Sequence, residues 1–78
     1  MYKLKYGLTI GGQSAIFENR DFWKGCDDET LDKVFERIDE IALIRTNEEV
    51  LKNPDVDKYE YAILREDVEQ AIKEFQDK

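Results

Sequence analysis

The feature that most constrains the fold is a set of apolar residues at helical spacing in the middle of the chain. They are Leu31, Val34, Phe35, Ile38, Ile41 and Ala42. At roughly 100° per residue these side chains fall within a sector of about 120°. Asp27 or Asp28 is a suitable N-cap, since acidic groups favour the positive end of a helix dipole. Because Ile44 and Arg45 fall out of phase, the pattern predicts a helix that ends near Ala42 or Leu43.

A second helix is predicted in the last part of the chain. Residues 65–75, REDVEQAIKEF, place their apolar side chains on one helical face. The members of this face are Val68, Ala71, Ile72 and Phe75. Between the two helices, Thr46 and Glu49 have the spacing of a capping box, which predicts a short helical turn through Lys52. Pro54 favours an end to that turn at the residue before it.

Strand periodicity opens the sequence. Apolar residues alternate with others at Tyr2, Leu4, Tyr6, Leu8 and Ile10, which is typical of a strand with one apolar face. The Gly11-Gly12 pair predicts a tight reversal with positive φ, followed by a returning strand over residues 14–18. Residues 58–64, KYEYAIL, predict a third strand with Tyr59, Tyr61 and Ile63 on one face.

These elements together predict an α+β fold. The expected architecture is an antiparallel sheet of three or four strands with two helices packed on one face, in the order β-β-α-β-α. With 78 residues, the chain is expected to form a single compact domain spanning residues 1–78. Whether ALIRT, residues 42–46, adds a strand is left open, as is a homodimer through the sheet edge or the helix layer.

The charge balance narrows the classes of partner. A net charge of −7 disfavours binding to phosphate backbones and to anionic membranes, and it favours partners with basic surfaces. The 41% hydrophobic content is too high for a disordered acidic tail. The longest purely apolar run, residues 41–44, is far too short to span a membrane, and the first residues lack the apolar core of a signal peptide. A cytoplasmic location is therefore expected.

The residues of common catalytic and metal sites are mostly missing. The chain has no histidine and a single cysteine, Cys26, whose acidic neighbours disfavour the thiolate. The glycine pair lacks the spacing of a phosphate-binding loop. Asn53, Asp55 and Asp57 begin a calcium-loop pattern, but Lys58 and Leu64 stand where glycine and glutamate are needed. We therefore expect a protein that is not an enzyme and that has no cofactor or metal.

The main candidate site is a group of carboxylates on the first predicted helix. Within roughly 100°, opposite the apolar sector, helical geometry places Glu29, Asp32, Glu36, Asp39 and Glu40. One interpretation is a solvated face, with Glu29 and Lys33 forming a weak i,i+4 pair. The other is a rigid row, at a spacing not far from that of nucleic-acid phosphates, that occupies a basic groove.

A second candidate surface is the Phe22-Trp23 pair in the predicted loop of residues 19–25. Tryptophan is favoured as an interface anchor, so the pair is a candidate contact with a partner. The alternative is that Trp23 folds beneath the helix and covers the core.

The expected function is a small, acidic, protein-binding module. It would act as an inhibitor or regulator that blocks a basic, nucleic-acid-binding surface of a partner protein. In size and charge alone, the chain resembles phage-encoded inhibitors of host defence, anti-CRISPR proteins among them. The first alternative is a structural or assembly subunit that contacts partners or itself through a sheet edge or the Phe22-Trp23 loop. A ligand-binding or catalytic protein is the second. The sequence identifies neither the partner, the source, the oligomeric state nor the binding face.

Overall fold

The structure is a computed structural model that describes residues 4–53 and 62–76, and this part of the chain is helical. The helices are α1 (Ile10–Glu18), α2 (Arg20–Lys24), α3 (Asp28–Lys52) and α4 (Arg65–Gln76). Helices take up 78% of it and strand 3%. The predicted α+β fold is therefore wrong, since the strand pairing in these two ranges amounts to one parallel bridge between Leu8 and Ile63.

Helix α4 lies at the centre of the packing, in contact with both α1 and α3. The buried core cluster consists of Ala15, Val34, Ile38, Ile41, Ala42, Ile63, Val68, Ala71 and Ile72. The apolar faces predicted for the two long helices supply most of it, with Leu31, Phe35 and Phe75 half-buried. The second predicted helix is confirmed, and so is the predicted start of the first, where Asp27 is the N-cap of α3.

Helix α3 runs about ten residues beyond its predicted end, to Lys52. Arg45, which breaks the apolar pattern, turns inward and bonds the buried carboxylate of Asp67 at 3.1 Å. Thr46 is also buried, and its hydroxyl donates to the carbonyl oxygen of Ala42 at 2.8 Å. The helix therefore continues because polar partners replace apolar packing in this half. The predicted end near Ala42 or Leu43 and the capping box at Thr46 are therefore wrong, and the strand left open at residues 42–46 is part of α3. The helical structure predicted through Lys52 is confirmed, as is its end before Pro54, since Asn53 is the C-cap.

Residues 4–9, before α1, form an irregular arm rather than a strand of a hairpin. Leu4, Tyr6 and Leu8 are half-buried against the core, whereas Lys5 and Gly7 are exposed. The alternating pattern thus correctly indicates that Leu4, Tyr6 and Leu8 face inward, but it fails at Ile10, which begins α1 and is 85% exposed, while Tyr2 lies outside the described residues. Among the described residues, the strand pairing of the arm is limited to the bridge of Leu8 with Ile63. Residues 14–18, predicted as that strand, belong to α1.

Gly11 and Gly12 lie in the first turn of α1, and neither has positive φ. The side chain of Thr9 caps this helix by accepting from the N–H of Gly12 at 3.3 Å. A Cβ at Gly12 would come within 2.7 Å of the Ile63 carbonyl oxygen, which explains why glycine is needed there. The pair therefore permits a close approach between α1 and residue 63 instead of forming the predicted turn.

Residues 62–64 are the described part of the predicted third strand. Ile63 is buried, donates its N–H to Gly7 O at 3.0 Å and accepts from Thr9 N at 3.2 Å. The predicted positions of Tyr59 and Tyr61 lie outside the described residues. Residues 20–24 of the predicted loop form the short helix α2. None of the described helices combines the length and the apolar character that crossing a membrane requires.

Candidate functional site

Four carboxylates lie along the outward side of α3 and are called the acidic row: Glu29, Asp32, Glu36 and Glu40. Glu29 and Glu40 keep 81% and 54% of their side-chain surface exposed. On the opposite side of the same helix, Val34, Ile38 and Ala42 are fully buried. The structure therefore brings together four of the five predicted carboxylates on a helix that is anchored along its inner face.

The start of α3 fixes where the acidic row begins. The carboxylate of Asp27 accepts from the N–H of Thr30 at 2.7 Å, which satisfies one of the unpaired donors of the first turn. Hydrogen bonds from Thr30 lower the pKa of Asp27. Asp28 and Glu29 follow in the first turn, where negative charge favours the helix dipole.

Asp39, the fifth predicted carboxylate, is not on this exposed side. It is only 4% exposed, and its Oδ2 accepts from the backbone N–H of Lys5 at 3.2 Å. The arm at residues 4–8 therefore covers it. Its expected place on a solvated face is wrong because helical spacing alone does not show which neighbouring segment lies over the helix.

Two cations border the acidic row on one edge. Lys33 lies 3.7 Å from Glu29, in an exposed i,i+4 pair. Arg37 donates hydrogen bonds to Glu74 of α4 at 2.8 Å and to Glu40 at 3.1 Å. Both bonds raise the pKa of Arg37, and the bond to Glu74 has the larger effect. Because Arg37 points toward α4, it compensates little of the charge at Glu36, which is exposed and has no ion pair within the described part.

The Phe22-Trp23 pair is packed into the fold. The ring of Trp23 stacks on Phe35 with a centroid distance of 5.4 Å and an interplanar angle of 7°. Its Nε1 donates to the Ile16 carbonyl oxygen at 2.8 Å, and Phe22 meets the indole edge-on at 5.1 Å. Both side chains are half-buried against the core. This arrangement matches the interpretation in which Trp23 covers the core.

Two surface features were missed by sequence reasoning. The first is an open groove of about 400 Å³ between α3 and α4, called the α3–α4 groove, and its lining includes Ile41, Ile44, Glu48 and Glu66. The second is the exposed ring of Phe17 on α1, with 69% of the residue accessible. Ile44 carried a signal for the groove, because it lies outside the buried apolar face of α3. That out-of-phase position was interpreted as the end of the helix, whereas it marks an exposed apolar residue on a helix that continues.

The buried ion pair of Arg45 and Asp67 was also missed. Asp67 is 2% exposed, and its carboxylate accepts from Arg45 Nε, Arg45 Nη2 and the N–H of Leu64. Arg45 also donates to the Ala62 carbonyl oxygen at 2.8 Å. These bonds satisfy a buried charge, which is typical of a structural pair.

No arrangement for metal binding is found within residues 4–53 and 62–76, where no three His, Cys, Asp or Glu side chains are grouped to hold an ion. Asp55 and Asp57 of the rejected calcium-loop pattern lie outside those ranges. Cys26 is a free, half-buried thiol just before α3.

Comparison with known proteins identifies no relative of this chain. No family model matches it, and neither does any curated protein or solved structure. The geometry and charge of the chain therefore carry the functional proposal.

Proposed function

We propose that this protein is a non-enzymatic binding module that blocks a basic surface of a partner protein with its acidic row. The observation that carries the proposal is the two-sidedness of α3, which is fully buried at Val34, Ile38 and Ala42 and acidic on its outward side. A helix fixed in this way presents its carboxylates in one geometry, so little conformational entropy is lost when a partner binds.

The spacing of the acidic row supports a groove-shaped partner. Asp32, Glu36 and Glu40 follow one another at intervals of four residues, or about 6 Å along the helix axis. A basic groove that normally holds a nucleic-acid backbone meets anions at similar intervals. Arginine and lysine side chains in that groove would form charge-assisted hydrogen bonds with the row.

Among the described cations, Lys33 and Arg37 border the row and balance part of its charge. Lys33 pairs with Glu29 across an exposed 3.7 Å contact, and such pairs contribute at most about 1 kcal/mol. A partner cation can displace so weak a contact at small cost. The negative potential of the whole chain, with a net charge of −7, would also speed the encounter with a basic surface.

The assembly-subunit alternative is left with less surface than expected. The first contact surface expected for such a subunit was a sheet edge, but the described residues form no sheet. The Phe22-Trp23 pair, its other expected contact, packs against Phe35 and Ile16. We place the proposed module in the cytoplasm, where a free thiol such as Cys26 stays reduced.

The test compares the wild type with a row variant in a tagged pull-down from lysate, read by quantitative mass spectrometry. The row variant carries Glu29→Gln, Asp32→Asn, Glu36→Gln and Glu40→Gln. A matched control removes four exposed carboxylates elsewhere, with Asp21→Asn, Glu48→Gln, Glu66→Gln and Glu69→Gln. Both variants change the net charge by the same amount, so a difference between them reports position instead of total charge.

We expect the wild type and the control to capture a nucleic-acid-binding protein that the row variant loses. The purified partner should then release its nucleic acid when the wild type is added, and it should keep it when the row variant is added. Binding should weaken steeply as salt rises, because exposed charges are screened. Equal capture by the row variant and the wild type would show that the row is only a solvated face.

A further inference from the structure

The outward side of α1 carries two large apolar side chains. Ile10 is 85% exposed and Phe17 is 69% exposed. Because they are seven residues apart, they lie within about 20° of each other around the helix and about 10 Å apart along its axis. The buried residues of α1, Gly12 and Ala15, are on its other side. Exposed apolar side chains that are grouped in this way mark an interaction surface.

The surface continues past Phe17 into an open cavity of about 370 Å³, called the Phe17 patch. The cavity is lined by three apolar side chains and two cations: Ile16, Phe17, Trp23, Arg20 and Lys24. Among the described residues, no carboxylate lines it. Its volume is within the range of sites that accept a large apolar group.

The two cations of the Phe17 patch are not used within the fold. Arg20 and Lys24 are exposed, and neither forms an ion pair with another described residue. Since they are four residues apart on α2, they share one side of that helix at a separation of about 6 Å. Glu18, at the end of α1, bonds Arg65 instead. The patch therefore suits an occupant that combines apolar groups with carboxylates.

The length of this surface indicates what kind of occupant fits. Ile10 and Phe17 span about 10 Å along α1, and the cations of α2 follow beyond Phe17. A small molecule in the open cavity would leave Ile10 uncovered and would itself stay in contact with water. A helix of about three turns is roughly 16 Å long and covers both ends.

We propose that this surface binds an acidic amphipathic helix of a partner protein. The apolar side chains of that helix contact Ile10 and enter the Phe17 patch, and its carboxylates pair with Arg20 and Lys24. Spacings of four and seven residues between apolar anchors are typical of helices bound in this way. The apolar contacts supply affinity, and the charge pairs select an acidic partner and fix its orientation.

The helix-binding surface is separate from the acidic row. Trp23 of the Phe17 patch stacks on Phe35, which lies about 100° around α3 from the middle of the row. The two surfaces also require partners of opposite charge. Binding of the acidic helix therefore does not depend on the proposed function, and each surface can be tested without the other.

The test uses Trp23, the single tryptophan of the chain, as a fluorescent reporter in the Phe17 patch. The probe is a synthetic peptide of roughly 14 residues with leucines on one helical face, glutamates beside them and no aromatic residue. A cross-link on its outer face keeps it helical. One control peptide has lysine for every glutamate, and a second has serine for every leucine. The lysine peptide is the one that the net charge of −7 attracts.

The main variant carries Arg20→Glu with Lys24→Glu. Its matched control carries Lys52→Glu with Lys73→Glu, so both variants change the net charge by the same amount. All four side chains are exposed. A third variant, Phe17→Ser, removes the exposed ring and leaves the charge unchanged. Circular dichroism checks that each variant is folded.

We expect the glutamate peptide to change the emission of Trp23 saturably in the wild type and in the matched control. Its Kd should be roughly 10–500 µM, the range of a small interface. The main variant and Phe17→Ser should each weaken binding at least about tenfold. The main variant should instead respond to the lysine peptide, because its reversed charges now pair with lysine. That gain of binding would show that the variant is folded and that charge at the patch selects the peptide.

The proposal would be overturned if the glutamate peptide caused no saturable change in Trp23 emission up to roughly 1 mM. Equal binding of that peptide to the wild type and the main variant would overturn it too. Equal binding of the serine peptide would show that charge alone is recognised, without the apolar surface. Self-association of the wild type that Phe17→Ser abolishes, measured by analytical ultracentrifugation, would make a second copy the occupant and would also overturn the proposal.

Discussion

Two arginine–carboxylate bridges join α3 to α4, and they differ in burial more than in length. Arg37 and Glu74 approach to 2.8 Å, with 35% and 37% of their side-chain surfaces exposed. Arg45 and Asp67 approach to 3.1 Å, with 19% and 2% exposed. Water can replace either partner of the first bridge. It cannot readily reach Asp67, so loss of Arg45 would leave a buried charge.

The inner bridge also ties down more of the chain. Asp67 accepts from the N–H of Leu64 at 2.9 Å, and Arg45 donates to the carbonyl oxygen of Ala62 at 2.8 Å. The outer bridge shares Arg37 with Glu40, one turn along α3. Burial and the number of satisfied groups therefore decide, more than the shortest distance, how much a bridge contributes to stability.

The largest expected effect is that of Asp67→Ala. It removes the carboxylate and leaves Arg45 largely buried without its main partner, a loss of about 3–5 kcal/mol. A chain of this size is stabilised by roughly that amount, so we expect the variant to be mostly unfolded at 25 °C. Far-UV circular dichroism and urea unfolding measure the effect.

A charge-free control separates the bridge from the space it fills. The double variant Arg45→Met with Asp67→Leu should recover much of the free energy of unfolding, since apolar packing often replaces a buried pair without loss. A fall of less than about 1 kcal/mol in Asp67→Ala would place the inner bridge in the class of surface pairs.

Gly12→Ala tests the close approach between α1 and the backbone of Ile63, just before the start of α4. The new Cβ would lie 2.7 Å from the Ile63 carbonyl oxygen, a backbone atom that moves only with its segment. We expect a loss of about 1–3 kcal/mol, typical of overpacking, measured by urea unfolding. At Gly11 the nearest atom is Arg65 Cβ at 3.5 Å, so Gly11→Ala should be neutral or stabilising by up to about 1 kcal/mol. Equal effects at both glycines would contradict the close approach.

Glu74→Ala breaks the outer bridge and should cost no more than about 1 kcal/mol, since both partners are partly exposed. The difference between the wild type and the variant should shrink as sodium chloride rises, because salt screens exposed pairs. Thermal unfolding at low and high salt measures it. A salt-independent loss as large as that of Asp67→Ala would remove the distinction between the bridges.

The smallest effect concerns Asp27, a fully exposed carboxylate. Hydrogen bonds from Thr30 lower its pKa in the folded state. Its stabilising contribution is therefore present above the unfolded pKa of about 3.9 and is lost as the pH falls through the lower folded value. Asp27→Asn keeps a capping oxygen without the charge. The wild type should lose stability relative to this variant only below about pH 4, as measured by urea unfolding across the acid range. If the stability advantage of the wild type over Asp27→Asn grew as the pH fell, the direction of the pKa shift would be contradicted.

The long helix α3 could be predicted in part from the sequence, and the error in the position of its end has a definite cause. Val34, Ile38 and Ala42 follow helical spacing and are buried, as are Val68, Ala71 and Ile72. Arg45 and Thr46 break the pattern because their partners are polar. The main partner of Arg45 lies 22 positions away in the chain, where local periodicity does not reach.

The arm shows a different limit. Alternation at Leu4, Tyr6 and Leu8 predicts that these side chains share one apolar face, and in the structure all three pack against the core. It does not indicate a hydrogen-bonding partner, and the short segment at residues 14–18 fits strand or helix equally well. For the candidate site, spacing along α3 located Glu29, Asp32, Glu36 and Glu40 on one side. It failed at Asp39 because the path of the arm over α3 depends on the whole fold.

The bridge between Leu8 and Ile63 has a consequence for the order of folding events. It joins residues on either side of α1, α2 and α3, so its formation closes a loop that includes all three helices. Closing a long loop costs conformational entropy, and this cost is smaller when the helices within the loop are already packed together. We expect α3 and α4 to associate early and the arm to dock last. The amide proton of Thr9, bonded to Ile63 O, should then exchange with solvent faster than those in the middle of α3.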